Sequence, residues 1–201
     1  LYTYTVTNSC GFDVSTVSVQ VSQPANAGCS ASRTVCSSDQ AFAMVELLTC
    51  NPALNGTWVG PLPNLTPVTG VFAPGGMNPS VPGTYRYTVS GVGACPSVST
   101  TLSVVVNPAR YAGNDASVSL CRSDGVFQLF PLLGPAAQAG GSWFFNLLPH
   151  TPSIQPSVDV TGTYTYVVYG LAPCQNDTAR VFVQISQPAN AGTDGLIQVC
   201  S

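Results

Sequence analysis

Apolar residues recur at every second position through the strongest segments of this chain. Val17, Val19 and Val21 alternate mostly with polar residues, as do Leu102, Val104 and Val106, and again Val181, Val183 and Ile185. A period of two predicts a strand with one buried face, because successive side chains leave a strand on opposite sides. The runs Tyr85-Arg86-Tyr87-Thr88-Val89 and Tyr164-Thr165-Tyr166-Val167-Val168 predict the strand before it, each opened by a Gly-Thr pair at Gly83 and Gly162. Asn55-Gly56 and Gly140-Gly141 are hairpin-type turns leading into strands that carry Trp58 and Trp143. The stretch Ala41 to Leu48 has a helical alternative, but its counterpart Gly125 to Leu133 carries Pro131, so both are expected as strands. Many short strands separated by turn signals predict an all-β sandwich.

The pattern repeats. Cys10 to Gly28 (CGFDVSTVSVQVSQPANAG) returns as Cys174 to Gly192 (CQNDTARVFVQISQPANAG), with a diverged copy from Cys95 to Gly113 between them. A further cysteine follows each copy at Cys36, Cys121 and Cys200, and Trp58 and Trp143 each fall 22 residues after Cys36 and Cys121. The periods are 85 residues (Cys10 to Cys95) and 79 (Cys95 to Cys174). Tandem self-similarity of this kind marks a repeat architecture. The expected units are the end of one module over 1–28, whole modules over 29–113 and 114–192, and the start of another over 193–201. Leu1 opens directly in a strand pattern, so the numbering is expected to begin inside a larger protein. The joints around Pro24, Pro108 and Pro188 are short and unlike a Gly/Ser tether. They predict modules that follow one another stiffly, as a rod.

Composition narrows the function. Charged residues make up 6% of the chain, there is no lysine, and the net charge is −3. That excludes an electrostatic nucleic-acid or membrane-surface binder. No apolar run approaches the 18 residues of a membrane span. Eight cysteines without a C-x-x-C pair favour disulfides in an oxidising compartment over zinc.

The strings A-G-x-D (Ala112 to Asp115, Ala191 to Asp194), V/L-C-x-S-D (Val35 to Asp39, Leu120 to Asp124) and G-T-Y-x-Y-x-V resemble the PKD-like and Ig-like repeats of large cell-surface proteins of Bacteroidota. Gliding-motility adhesins exported by type IX secretion are among them. The resemblance covers the whole chain and implies an extracellular, cell-surface location. It implies partners among neighbouring modules, other protomers of a filament, or a surface or glycan ligand. One departure is that Cys29 and Ser30 stand where the A-G-x-D motif has x-Asp, and Cys50 has no counterpart.

Candidate chemistry is sparse, and neither catalysis nor a cofactor or metal is expected. His150 is the lone histidine, in a Pro-containing stretch read as an exposed loop, and Glu46 is the lone glutamate. No nucleophile elbow is present. Asp39, Asp115, Asp124 and Asp194 are spread too thinly for a calcium cage and suit turn stabilisation better. Trp58 and Trp143 are expected in the core; as exposed rings they would be sugar platforms. Phe72, Phe144 and Phe145 are placed in variable loops, where a contact surface would lie.

Repeat equivalence pairs Cys36 with Cys95 and Cys121 with Cys174, and leaves Cys29 to pair with Cys50. Against the first two pairs, a seven-strand sandwich sets the end of its first strand far from the start of its last. The rival set joins cysteines at a constant spacing of 26: Cys10–Cys36, Cys95–Cys121 and Cys174–Cys200. Thr178, in Asp177-Thr178-Ala179, matches the Asp-Ser/Thr-aliphatic O-glycosylation pattern that the family resemblance implies. The leading expectation is a structural or adhesive repeat region, and the alternative is a glycan-binding array attached to a secreted hydrolase.

Overall fold

Short strands and tight turns account for the whole architecture of the computed structural model, which describes residues 1–64, 66–75 and 80–200. Among these residues there is no α-helix, only two single 3-10 turns. The chain divides into two compact units, one of Leu1–Val35 with Asp39–Val106, the other of Cys36–Ser38 with Asn107–Ser201.

The first unit begins with a hairpin of β1 (Tyr2–Asn8) and β2 (Gly11–Val17). It continues through β3 (Ala31–Cys36), β4 (Phe42–Ala43), β5 (Thr57–Val59), β6 (Pro67–Val68), β7 (Val71–Phe72), β8 (Gly83–Val89) and β9 (Val98–Asn107). One sheet has the order β3-β9-β8-β5-β6, and the β4-β7 pair forms the other layer.

The second unit follows the same plan with β10 (Ala116–Cys121), β11 (Phe127–Gln128), β12 (Ser142–Phe145), β13 (Leu148–His150), β14 (Ser153–Ile154), β15 (Gly162–Val168) and β16 (Asp177–Ser186). Its sheets are β10-β16-β15-β12-β13 and β11-β14. The first strand, β10, runs parallel to the last, β16, while every other pair in that unit is antiparallel. Each unit thus contains a β-sandwich, with β3 docked on β9 in the first and β10 on β16 in the second.

The period-two pattern sets the core. Tyr85, Tyr87 and Val89 of β8 and Leu102 and Val104 of β9 face inward against Val35, Met44, Trp58 and Phe72. Tyr164, Tyr166, Val168, Val181 and Val183 do the same against Leu129, Leu133, Trp143 and Ile154. The β1–β2 hairpin carries the same motif, yet Tyr2 and Tyr4 are each 70% exposed where Tyr85 and Tyr87 are at 0% and 1%. Identical sequence logic buries a side chain only where a second layer faces it.

Two stretches depart from the strand reading. In Ala41–Leu48 only Phe42–Ala43 is extended; Met44–Leu47 is a 3-10 turn. In the counterpart, Phe127–Gln128 is extended and Phe130–Leu133 turns, with Pro131 at its first positions, where a missing N–H costs nothing. Met44 and Leu48 in the first stretch, and Leu129 and Leu133 in the second, are buried in their cores.

Candidate functional site

The most closely repeated side-chain constellation is a tryptophan–tyrosine cluster in each unit. Trp143 of β12 stands opposite Tyr166 of β15 on one side and His150 of β13 on the other. Its ring lies 5.0 Å from that of Tyr166; Trp58 lies 4.9 Å from Tyr87. Both tryptophans are 5% exposed, so neither is a stacking platform for a sugar.

Backbone bonds hold the tyrosines. The Tyr166 hydroxyl accepts from Gly141 N at 2.8 Å and donates to Gln138 O at 2.8 Å. The Tyr87 hydroxyl accepts from Gly56 N at 2.8 Å and donates to Ala53 O at 2.5 Å. The other tyrosine of each pair donates to a carbonyl four residues upstream, Tyr85 to Val81 O at 2.6 Å and Tyr164 to Val160 O at 2.9 Å. Such back-bonding resembles the tyrosine corner of Ig sandwiches. Tyr166→Phe would leave the Gly141 N–H and the Gln138 carbonyl without this partner, so a loss of about 1–3 kcal/mol is expected in urea unfolding. The same loss is expected for Tyr87→Phe.

Burial pushes the Tyr85 and Tyr164 phenols above their ordinary value, and Asp159 adds to the effect at Tyr164. A raised folded pKa gives stability that is complete below the unfolded value of about 10 and is lost as pH rises through the folded one. Denaturant midpoints are therefore expected to fall above about pH 10, and less steeply in Tyr164→Phe.

A groove of about 420 Å³ runs beside Trp143, bordered by Phe130, Pro149, His150, Pro152 and Tyr166. Its counterpart of about 320 Å³ beside Trp58 is bordered by Val45, Pro67, Val68 and Tyr87. Both walls are largely apolar and the tyrosine hydroxyls are already committed to backbone bonds; the polar side chains on the linings are Ser142 and His150 in one groove and Thr57 in the other.

His150 is not in an exposed loop. It belongs to β13, half-buried, with its ring edge-on to Tyr164 at 4.8 Å. A β-hairpin with β12 places it there, and its alternation opposite Trp143 was the signal that sequence reasoning missed. Its Nδ1 is 2.8 Å from Thr151 O and its Nε2 3.3 Å from Asp159 Oδ1. Asp159 in turn accepts from Gln155 N at 2.7 Å through Oδ2. This His–Asp pair braces the β13–β14 region.

The aspartates bind the backbone. Asp115 Oδ1 accepts from Arg180 N and Asp124 Oδ2 from Cys121 N, both at 2.7 Å. Asp194 lies in an exposed segment outside any strand. Among the described residues no three of His, Cys, Asp and Glu gather to hold a metal. Glu46 sits in the first 3-10 turn.

Of the phenylalanines expected in loops, Phe72 is wholly buried in β7, in contact with Phe42 at 5.5 Å and Tyr85 at 5.8 Å. Phe144 and Phe145 belong to β12, and Phe145 stacks on Tyr164 at 4.6 Å. The second layer needs an apolar strand after the tryptophan hairpin, and Phe72 and Ile154 fill equivalent places in it.

The cysteines correct the pairing drawn from repeat equivalence. Cys36 is bonded to Cys174, not to Cys95, and Cys121 is not bonded to Cys174. Ser37 N donates to Asn107 O at 2.9 Å, so Cys36 sits at the far end of β9, while Cys95 precedes its start at Val98. Ten strand residues span about 30 Å, too far for one bridge. The rival 26-residue spacing is absent as well. Cys29 is bonded to Cys50, beside the Cys29–Thr49 bridge. Cys10, Cys95, Cys121 and Cys200 are free thiols in this chain.

Thr178 lies within β16 and is exposed; the neighbouring Asp177 accepts from Ala112 N at 2.8 Å.

Among solved structures the chain is similar to an I-band fragment of titin, with a TM-score of 0.54 at 14% identity over 92% of this chain and 73% of that one. It also matches the four N-terminal Ig domains of Dscam1 isoform 9.44, with a TM-score of 0.44 at 14% identity over 88% and 51%. No protein-family model matches, and no curated protein does. The titin likeness, together with the sheet orders above, makes the fold that of tandem Ig-like β-sandwiches.

Proposed function

We propose that this chain is a non-enzymatic structural and adhesive stretch of an extracellular bacterial surface protein or filament. Its working units are the repeats 29–113 and 114–192. The observation that carries the reading is the recurrence of one scaffold whose shared core side chains hold the fold together. What repeats is the tryptophan, the tyrosines and their backbone bonds, all of which stabilise a sandwich. Two disulfides suit an oxidising, extracellular setting. Short proline-containing joints favour an in-line, rod-like succession of repeats over freely tethered beads.

The A-G-x-D and G-T-Y-x-Y-x-V strings support a Bacteroidota surface adhesin of the gliding type, exported by type IX secretion. With 6% charged residues, such a surface gains hydration from attached sugar, and exposed Thr178 is the proposed acceptor. Tryptic peptide mass on native material is expected to show Thr178 modified; an unmodified peptide at full occupancy removes that element. Antibody raised against the chain is expected to label intact cells. Labelling that appears only after permeabilisation would contradict the surface reading.

A further inference from the structure

Asn107 and Ser186 end the last strands of their repeats, and the carbonyl of Asn107 meets both an amide N–H and a cysteine sulfur. Asn107 ends β9, and its carbonyl accepts from Ser37 N at 2.9 Å and lies 3.3 Å from Cys174 Sγ. Here the Cys36–Cys174 bond is closed, joining Cys36 of the sequence repeat 29–113 to Cys174 of the repeat 114–192. Both sulfurs belong to buried residues, 2% and 7% exposed. The Asn107 side chain adds a 2.7 Å bond to Ala172 O in the turn that carries Cys174.

The two equivalent joints are each half present. One period earlier, Ser22 stands for Asn107, and Cys95 Sγ lies 3.5 Å from its carbonyl, as Cys174 Sγ lies by Asn107. One period later, Ser186 stands for Asn107. Its carbonyl accepts from Arg122 N at 2.9 Å, as Asn107 accepts from Ser37 N, and Cys121 pairs in register with Ser186. Cys95 therefore holds the place of Cys174 with no counterpart of Cys36 beside it. Cys121 holds the place of Cys36 with no counterpart of Cys174. Their exposure agrees: Cys95 is half-buried and Cys121 exposed, whereas the bonded pair is buried.

We propose that a disulfide ladder runs through the array, one bond at every joint. In it Cys95 is bonded to the Cys36 equivalent of the preceding repeat and Cys121 to the Cys174 equivalent of the following one. Each bond forms when two thiols give up two electrons and two protons to a disulfide oxidant, which leaves as two thiols. The inference rests on the reading of the chain as part of a tandem array. Cutting the polypeptide at a joint would then leave the repeats connected until reductant is added.

The sequence itself supplies a clean test, because cleavage after its five arginines puts Cys36, Cys95, Cys121 and Cys174 on four different peptides. One chain carries an extra copy of residues 114–192 after Gly192, marked by replacing its equivalent of exposed Leu147 with alanine. A second chain carries residues 114–163 before Tyr2, completing the repeat to which the β1–β2 hairpin belongs. Both are folded with oxidised and reduced glutathione, alkylated and digested without reductant. In the first, the 111–122 peptide is expected to be linked to the marked peptide of the added copy. In the second, the 87–110 peptide is expected to be linked to the added Cys121 equivalent.

The 34–86 peptide must in both cases be linked to 123–180, which certifies folding and oxidation. If that link forms while Cys121 and Cys95 are alkylated or joined elsewhere, the ladder is overturned and the array reading stands untouched. If the Cys36–Cys174 link itself fails, the template is wrong and the ladder falls with it.

Discussion

Replacing Trp143 with alanine is expected to destabilise the second unit by about 3–5 kcal/mol, the range for emptying a buried aromatic site. The side chain is 5% exposed in the core of the second unit, with its ring against Tyr166. No neighbour can move in cheaply, since the Tyr166 ring is anchored by its two backbone bonds. A loss of this size is a large share of the 5–15 kcal/mol that holds an ordinary domain together. Trp58→Ala is expected to do the same to the first unit. Urea unfolding followed by circular dichroism measures both, and Trp→Phe at either site should recover part of the loss. An exposed sugar platform would behave differently, with a change inside about 0.5 kcal/mol.

The second large effect is expected at Cys36. The Cys36–Cys174 bond closes a loop of 138 residues, worth about 5 kcal/mol in the chain-entropy model. Cys29–Cys50 closes only 21 residues, worth about 3 kcal/mol. Cys36→Ser should thus cost more than Cys29→Ser. The sharper expectation is the pattern: Cys174→Ser should match Cys36→Ser, and the double variant should be little worse than either alone, because one bond is lost in all three. Cys95→Ser should be nearly silent in this chain. Large costs at Cys95 and Cys121, with the Cys36 and Cys174 variants adding up independently, would restore the pairing that repeat equivalence suggested and would contradict the bond.

Much of this architecture was legible in the sequence. Alternation fixed the faces of β8, β9, β15 and β16, because a sheet with one buried side imposes a strict period of two on Tyr85, Tyr87, Leu102 and Val104. The invariant distance from cysteine to tryptophan placed Trp58 and Trp143 in equivalent core positions. The thin second layer was harder to see. β4, β7, β11 and β14 are two residues each, too short for any alternation to show. Phe72, in β7, therefore carried no strand signal.

The disulfide pairing was hidden for a different reason. Equivalence between repeats says which cysteines share a place within a repeat, but not whether a bond stays inside one repeat or passes to the next. What separates Cys36 from Cys95 is the length of β9, and what brings Cys36 to Cys174 is the Asn107 carbonyl. Of the candidate site residues, the aspartates were read as turn stabilisers, and Asp115 and Asp124 do accept backbone N–H groups.

Small-angle scattering on the 201-residue chain tests the proposed array most directly. Strands of 7 to 10 residues at about 3.4 Å per residue give each repeat a length of tens of ångströms. Repeats that follow one another in line are expected to give a radius of gyration above about 20 Å. A value of about 16–17 Å, that of a compact globule of this length, would contradict the array.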